Sequence, residues 1–311
     1  MEQLTPVFLL SLPRSGSTLL QRLMAAQPGV ATASEPWVLL PFLSTLRDEG
    51  TFTDYDHRLF RQGLEDFGRE LPEGLSTYRR ALRELALRLY SAAVPEGTRY
   101  FVDKTPRYHL VVPELFGVFP EARFVFLWRN PLALVASAVE TWAESRWSVH
   151  RWHVDLFQGL SNLVAGYREH EQDSVATRYE DLVVDPSGTM ARIARYLDLP
   201  FDPVEGPDLG AASLRGRLGD QTGSRTYRTV SDEPLDKWKE ILAGAVRKRW
   251  CRRYLEWIGR DRLRVMGYDL DELRSDLDAL PSSPRRVVSD AVRLGYGRLS
   301  GGRRGARAWR R

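Results

Sequence analysis

"PVFLLSLPRSGSTLLQRL", residues 6 to 23, is the stretch on which the fold turns. Val7 to Leu12 is a near-continuous apolar run, the pattern of a strand buried on both faces of a parallel sheet. A turn of small residues follows. Ser17 to Ala26 then has helical character and stops before Gln27-Pro28-Gly29, a strong turn signal. Strand, small-residue turn and helix together form the layout of a phosphate-binding loop. In such a loop consecutive backbone N–H groups and a helix N-terminus face the anion. Arg14, Ser15, Gly16, Ser17 and Thr18 occupy the turn. The hydroxyls of Ser17 and Thr18 can donate to phosphate oxygens, and Arg14 adds a charged fork. An ATP-binding loop would carry a lysine where Ser17 stands, together with an acid for magnesium. The lysine is missing, and no apolar strand ends in a lone Asp in the usual place. Taken alone, the motif reads equally well as a strand-to-helix turn capped by Ser or Thr.

The same plan recurs further along. "ARFVFLWRNPLALVASAVETW", residues 122 to 142, reads as strand, turn with Pro131, and helix. Arg129 stands just after the strand and Ser137 eight residues on, about two helical turns away, so both could reach one phosphate. Without a partner motif, a surface arginine and a small packing serine would be the ordinary reading of that pair. Arg99 to Val102 reads as a short strand ending at "DKTPRYH", and "SVATRYEDLVVDP" as another strand followed by a helical stretch, Pro186 to Leu197. Pro41 to Val94 and Trp238 to Met266 read as helical, the first including "STYRRALRELALRLYSAAV" with apolar spacing of three and four. Gly206 to Pro234 lacks periodicity and reads as a long loop of the kind that forms lids. Strands alternating with helices predict an α/β fold, a single domain with a central parallel sheet flanked by helices.

Bulk properties narrow the function classes. At 311 residues with 43% hydrophobic and 28% charged content, the chain can bury a sizeable core. The net charge of +4 is uneven, because residues 284 to 311 hold nine arginines and one acid, Asp290, so the body is slightly acidic. That argues against a nucleic-acid binder. The one cysteine, Cys251, excludes an intrachain disulfide and any cysteine-based zinc site. No signal peptide is visible, and no run approaches the roughly 20 apolar residues of a membrane span. The expectation is a soluble, cytoplasmic protein.

The two phosphate segments together resemble the sulfotransferases that use 3′-phosphoadenosine-5′-phosphosulfate (PAPS). "LPRSGSTLLQRL" is similar to that family's 5′-phosphosulfate loop, and "FLWRNPLALVASAVETW" to its 3′-phosphate segment, with Arg129 and Ser137 at the family's spacing. The resemblance explains the missing lysine, since PAPS carries no triphosphate. It implies a P-loop-like sulfotransferase fold, PAPS as donor, adenosine 3′,5′-bisphosphate as product, and no metal. Further segments resemble tyrosylprotein and Golgi-type carbohydrate sulfotransferases. "QPGVATASEPW" supplies Glu35, 21 residues after Arg14, where that subgroup places its base. "DKTPRYH" resembles its short lysine motif and puts Lys104 at the reacting centre. "RYEDLVVDP" places Tyr179 beside the nucleotide, and "YRTVSDEPLDKW" resembles the late cofactor loop, closed by Lys237 and Trp238. The likeness covers roughly residues 6 to 40, 99 to 142, 175 to 198 and 220 to 258. Residues 41 to 98 and 143 to 174 are left to shape the acceptor side of a domain spanning 1 to 283, with a basic tail at 284 to 311.

Sulfuryl transfer asks the protein to position groups and stabilise charge. The resemblance makes Glu35 the general base, Lys104 with Arg14 the cations facing the leaving phosphate, and Ser15 to Thr18 the 5′-phosphate cradle. His109, five residues after Lys104, is a rival base, since another branch of the family uses a histidine near its lysine. Each residue also has an ordinary reading: Glu35 a solvated loop acid, Lys104 a partner of Asp103, Tyr179 a core residue of a strand, Lys237 an exposed helix residue. His150 and His153 lack a third ligand and read as residues of the acceptor entrance or of a polar face. Trp142, Trp147 and Trp152 suggest an aromatic-lined pocket. The expected acceptor is a small-molecule or glycan hydroxyl on a sugar, lipid or natural product, with peptide tyrosine as the alternative. A metal-dependent nucleotide kinase and a non-catalytic nucleotide-binding protein are the readings from other classes. The tail reads as a short amphipathic helix with a basic end, or as a weak contact with an anionic membrane. The sequence leaves the oligomeric state open.

Overall fold

The computed structural model describes residues 4–48, 57–201, 235–283 and 286–301. Its strands are β1 (Thr5–Ser11), β2 (Val30–Thr32), β3 (Tyr100–Asp103), β4 (Arg123–Trp128) and β5 (Ser174–Arg178). They form one sheet in the order β2-β3-β1-β4-β5, every pairing parallel. The helices in chain order are α1 (Ser17–Ala25), α2 (Leu40–Ser44), α3 (His57–Arg69), α4 (Leu75–Ala92), α5 (Val112–Val118), α6 (Pro131–Ala143) and α7 (Leu160–Glu169). They continue as α8 (Tyr179–Val184), α9 (Pro186–Tyr196), α10 (Lys237–Leu242), α11 (Ala245–Val265), α12 (Leu270–Ala279) and α13 (Val287–Gly301).

The opening apolar run is buried on both faces, as its composition requires. Successive side chains of a strand point to opposite sides. Phe8 and Leu10 therefore join Phe101, Phe124, Phe126 and Trp128 in one core layer, against helices that include α5, α6 and α7. Val7 and Leu9 join Val102, Val125 and Leu127 in the other, against α1, α8 and α9. Burying a side chain of this size contributes roughly 1.5–3 kcal/mol, so the central strand anchors both layers. Asn130 caps α6, its side chain accepting from the backbone N–H of Leu132 (2.9 Å) and Ala133 (3.4 Å), with Pro131 at the first helical position.

Some elements differ from the sequence reading. β2 was not anticipated; its three residues carry no strand-length pattern, and parallel pairing to β3 holds them. Tyr179 lies outside β5 and opens α8, because Tyr179, Leu182 and Val183 recur at helical spacing on the buried side. The stretch from Trp238 to Met266 is two helices rather than one. Ala243 (ψ 73) and Gly244 (φ −165) leave the helical region between them, and Gly259 at φ +74 kinks the second. The early part of the basic tail forms α13, whose lone acid Asp290 is buried against Arg247 of α11. The expected loop at 206 to 234 and the end of the tail lie outside the described residues. No described helix is long and apolar enough to cross a membrane.

Candidate active site

The carboxyl ends of all the strands carry the sequence-predicted residues. The loop at 12–17 follows β1, Glu35 follows β2, Lys104 follows β3, Arg129 follows β4 and Tyr179 follows β5. A parallel sheet gathers its strand ends along one edge, which is where ligands of open α/β sheets bind.

After β1 the chain turns through two left-handed residues, Arg14 (φ 70) and Gly16 (φ 87). Residues of alternating hand aim successive N–H groups into one concavity. The loop closes with Ser15 N–H donating to the Leu12 carbonyl (3.3 Å) and Leu19 N–H to Gly16 (3.0 Å). α1 starts directly at Ser17, with no acidic residue in its first turn, so the positive helix end is not neutralised from within the helix. Residue 16 has to be glycine for two reasons. Its φ is left-handed, and a Cβ there would lie 2.3 Å from the Tyr179 ring.

That ring is stacked between the loop and Arg129, whose guanidinium lies 4.4 Å from its centroid. Arg129 also donates to the Arg14 carbonyl (2.6 Å). Its Nε is buried with no hydrogen-bond partner, and burial lowers its affinity for the proton below that of an ordinary arginine. Tyr179 and Glu180 act in the opposite direction. A desolvated cation with a spare donor is costly in isolation and favours an anion beside it. The Arg14 side chain reaches Ser137 on α6 (Nε to Oγ, 3.4 Å) and lies 5.9 Å from the Trp142 ring centroid. Arg129 and Ser137, paired in sequence by spacing alone, thus meet through Arg14.

Glu35 and Lys104 form an ion pair at 2.7 Å with side chains only 10% and 3% exposed. Glu35 is therefore no solvated loop acid. Lys104 does not use Asp103, whose carboxylate instead accepts from Tyr90, Tyr108 and Thr105. The second Glu35 oxygen accepts from the Trp37 indole (3.2 Å). Upstream, the fully buried Gln21 of α1 grips the approach to Glu35, its amide donating to the Thr32 hydroxyl and to the Ala33 and Ser34 carbonyls. Gln21 ties the phosphate-loop helix to the Glu35 segment. Sequence reasoning missed Gln21, Trp37, Asp103 and Thr105, because single polar residues carry no periodic signal. The nearest clue was that Asp103 and Thr105 flank Lys104.

His109 is buried and bonded through Nε2 to Asp155 (2.8 Å), which also pairs with Arg107 (3.3 Å). Its other ring face abuts Gly159, in a π-helical turn at Val154–Gly159. Lys237 opens α10 and pairs with Glu140 of α6 (2.8 Å), while Trp238 is buried. Residues 227–234 of the expected late cofactor loop lie outside the described residues. Of the three neighbouring tryptophans, Trp147 and Trp152 are buried in the core and Trp142 alone is exposed, at 42%. Trp147 and Trp152 instead pack into the larger core layer. His150 lies in a 3-10 turn, Val149–Trp152, and His153 stacks on Phe157 (4.3 Å). Among the described residues no group of three or more His, Cys, Asp or Glu side chains is placed to hold a metal ion.

The sheet thus sets a phosphate-type loop and a carboxylate–lysine pair along one edge, at the ends of β1, β2 and β3. The family described as "Sulfotransferase family" matches residues 6–203, and the chain belongs to it. Its sequence is 36% identical over 295 residues to nodulation protein NoeE of Sinorhizobium fredii, covering 84% of this chain and 65% of that protein. It is 23% identical over 249 residues to protein-tyrosine sulfotransferase 1 of Danio rerio, covering 75% and 65%. The chain thus spans just under two thirds of these relatives. Its fold matches the sulfotransferase domain of the Synechococcus PCC 7002 olefin synthase with a TM-score of 0.54 at 22% identity, over 86% of this chain and 97% of that one.

Proposed function

We propose that the chain transfers a sulfuryl group from PAPS to an acceptor hydroxyl, giving a sulfate ester and adenosine 3′,5′-bisphosphate. The Lys104–Glu35 pair carries this reading. It sets an ammonium donor and a carboxylate acceptor 2.7 Å apart, shielded from water, at the ends of the adjacent strands β3 and β2. Residues at the neighbouring strand ends would hold the donor: the amides of Ser15 and Gly16 and the hydroxyls of Ser17 and Thr18 the 5′-phosphate, Arg129 and Ser137 the 3′-phosphate. The spare buried donor of Arg129 supports that fit. Tyr179, Lys237 and Trp238 would flank the nucleotide. Bound PAPS supplies the sulfuryl group and its phosphate leaving group.

The residues of the chain do the rest. Glu35 takes the proton of the acceptor hydroxyl. Lys104, assisted by Arg14, stabilises charge that develops on the leaving side, and its burial strengthens the interaction. We assign the base role to Glu35 rather than His109, because His109 is buried and engaged by Asp155. The acceptor side is formed by the helices of residues 41–98 and by residues 143–174, and its hydroxyl belongs to a sugar, lipid or natural product. The exposed Trp142 beside Arg14 is suited to stack on a flat or sugar ring.

Labelled PAPS incubated with p-nitrophenol, an oligosaccharide, a long-chain alcohol and an acidic tyrosine peptide tests the proposal. Label is expected in one of the non-peptide acceptors and is abolished in Glu35→Ala. Label in the peptide alone assigns tyrosine sulfation. Thermal protection by adenosine 3′,5′-bisphosphate, without magnesium and beyond that given by ATP, is the companion result. Protection only by ATP with magnesium identifies a kinase. Protection by the bisphosphate with no transfer in any arm identifies a nucleotide-binding protein.

A further inference from the structure

The carboxylate of Asp103 is fully buried and faces three hydroxyls: Tyr90 (2.5 Å), Tyr108 (2.8 Å) and Thr105 (3.0 Å). It lies one residue before Lys104, yet makes no ion pair with it. The Thr105 hydroxyl has one hydrogen, and Asp103 takes it. Its lone pair then accepts the backbone N–H of Trp37 (3.2 Å) across from β3 to the segment after β2. Trp37 sits at φ 59, a left-handed conformation that bulky residues avoid. From there its indole N–H reaches back two residues to Glu35 (3.2 Å). The other Glu35 oxygen is held by Lys104.

We propose that Thr105 is a positioning residue for sulfuryl transfer. Its hydroxyl, aimed by Asp103, holds Trp37 in its left-handed turn, and Trp37 thereby fixes the Glu35 carboxylate opposite Lys104. The relay is directional. Asp103 accepts, Thr105 both donates and accepts, and the Trp37 amide and indole both donate, so each proton has one place to go. It also explains the composition of the "DKT" segment. The aspartate orients the threonine, the lysine reaches the reacting centre, and the threonine crosses to the neighbouring loop. This inference rests on Glu35 as the base, and the test separates the two.

Thr105→Val keeps the shape of the side chain and removes both bonds, Thr105→Ser keeps the hydroxyl, and Trp37→Phe keeps a ring without the indole donor. With PAPS and the acceptor returned by the panel above, Thr105→Val and Trp37→Phe are each expected to lower kcat about tenfold, less than the roughly 10²-fold that a 1 Å misplacement can cost. The KM for PAPS stays within twofold. Thr105→Ser returns to within threefold of the wild type. The double variant Thr105→Val/Trp37→Phe is no worse than the worse single variant, as for two members of one relay. A second readout needs no acceptor. In protein labelled with 15N at the indoles, the Trp37 resonance, identified by its loss in Trp37→Phe, shifts in Thr105→Val toward its position in Glu35→Gln, and does not move in Thr105→Ser. Additive kcat losses, no rescue by serine, or a Trp37 resonance unmoved by Thr105→Val overturns the proposal. The resonance of a poorly folded Thr105→Val sample would be judged against Thr105→Ala. Full activity in Glu35→Gln instead overturns the base assignment, whatever the Thr105 variants do.

Discussion

Replacing Arg129 with glutamine tests the claim that this buried cation is built for a phosphate. In the protein alone the guanidinium is desolvated, stacked on Tyr179 and bonded to the Arg14 carbonyl, with Nε unpartnered. Its removal costs the stacking contact, about 1–2 kcal/mol, and a hydrogen bond of about 1 kcal/mol. It also relieves a buried charge, which offsets much of that loss. The net change in unfolding free energy is expected to stay within about 2 kcal/mol. Binding behaves differently. Two unit charges about 4 Å apart attract by about 4 kcal/mol at an effective dielectric of 20. Glutamine retains one neutral donor, so roughly 3 kcal/mol is lost, or about 10²-fold in affinity for adenosine 3′,5′-bisphosphate. Adenosine 5′-monophosphate, which lacks the 3′-phosphate, should lose less than tenfold, through the loosened Arg14 loop alone. Isothermal titration of both nucleotides, with urea unfolding of the free protein, measures all three quantities. Equal losses for the two nucleotides, or bisphosphate affinity within threefold of the wild type, would refute the reasoning.

Two further outcomes concern stability. Asp290→Ala leaves Arg247 buried without its counter-ion, although Arg247 also donates to the Ile241 and Ser145 carbonyls. Breaking one side of a buried pair costs about 3–5 kcal/mol, read as a lower urea midpoint; a change under about 1 kcal/mol would show that α13 is dispensable. Burial raises Asp103 to about 6, opposed by the Tyr90, Tyr108 and Thr105 hydroxyls, against about 3.9 in an unfolded chain. The folded state then holds more protons between those values. The stability contributed by this group is complete below about pH 4 and is lost as pH rises through 6, by up to about 3 kcal/mol. The wild type should lose about 2 kcal/mol of that relative to Asp103→Asn between pH 4 and pH 7 in urea titrations. A difference independent of pH contradicts the assignment.

Much of the site could be read locally because its chemistry is written in short contiguous stretches. A phosphate loop needs an apolar strand, small residues and a helix start within 18 residues, and 6 to 23 supplies them. Arg129 was legible for the same reason, standing between a buried strand and a capped helix. Positions whose role depends on distant partners were not legible. Nothing local distinguishes Gln21 from any helical glutamine, or Thr105 from any threonine after a lysine. Their bonds reach residues 11 to 68 positions away in the hydrogen-bond chain around β2 and β3. Trp147 and Trp152 were misread as pocket residues because aromatic content reports how much surface a segment can bury, while the facing layer decides where it goes.

The sequence by itself determined most of the strands and helices, the parallel sheet and a strand–turn–helix of phosphate-loop type, because apolar periodicity and turn chemistry are local properties of the chain. Only the tertiary structure decided that β3 lies between β1 and β2. That insertion makes the ends of β2 and β3 neighbours, and so brings Glu35 within 2.7 Å of Lys104 from 69 residues away. The physical reason is that strand order is set by how the two apolar faces of the whole sheet are covered, a global packing condition that no single segment encodes.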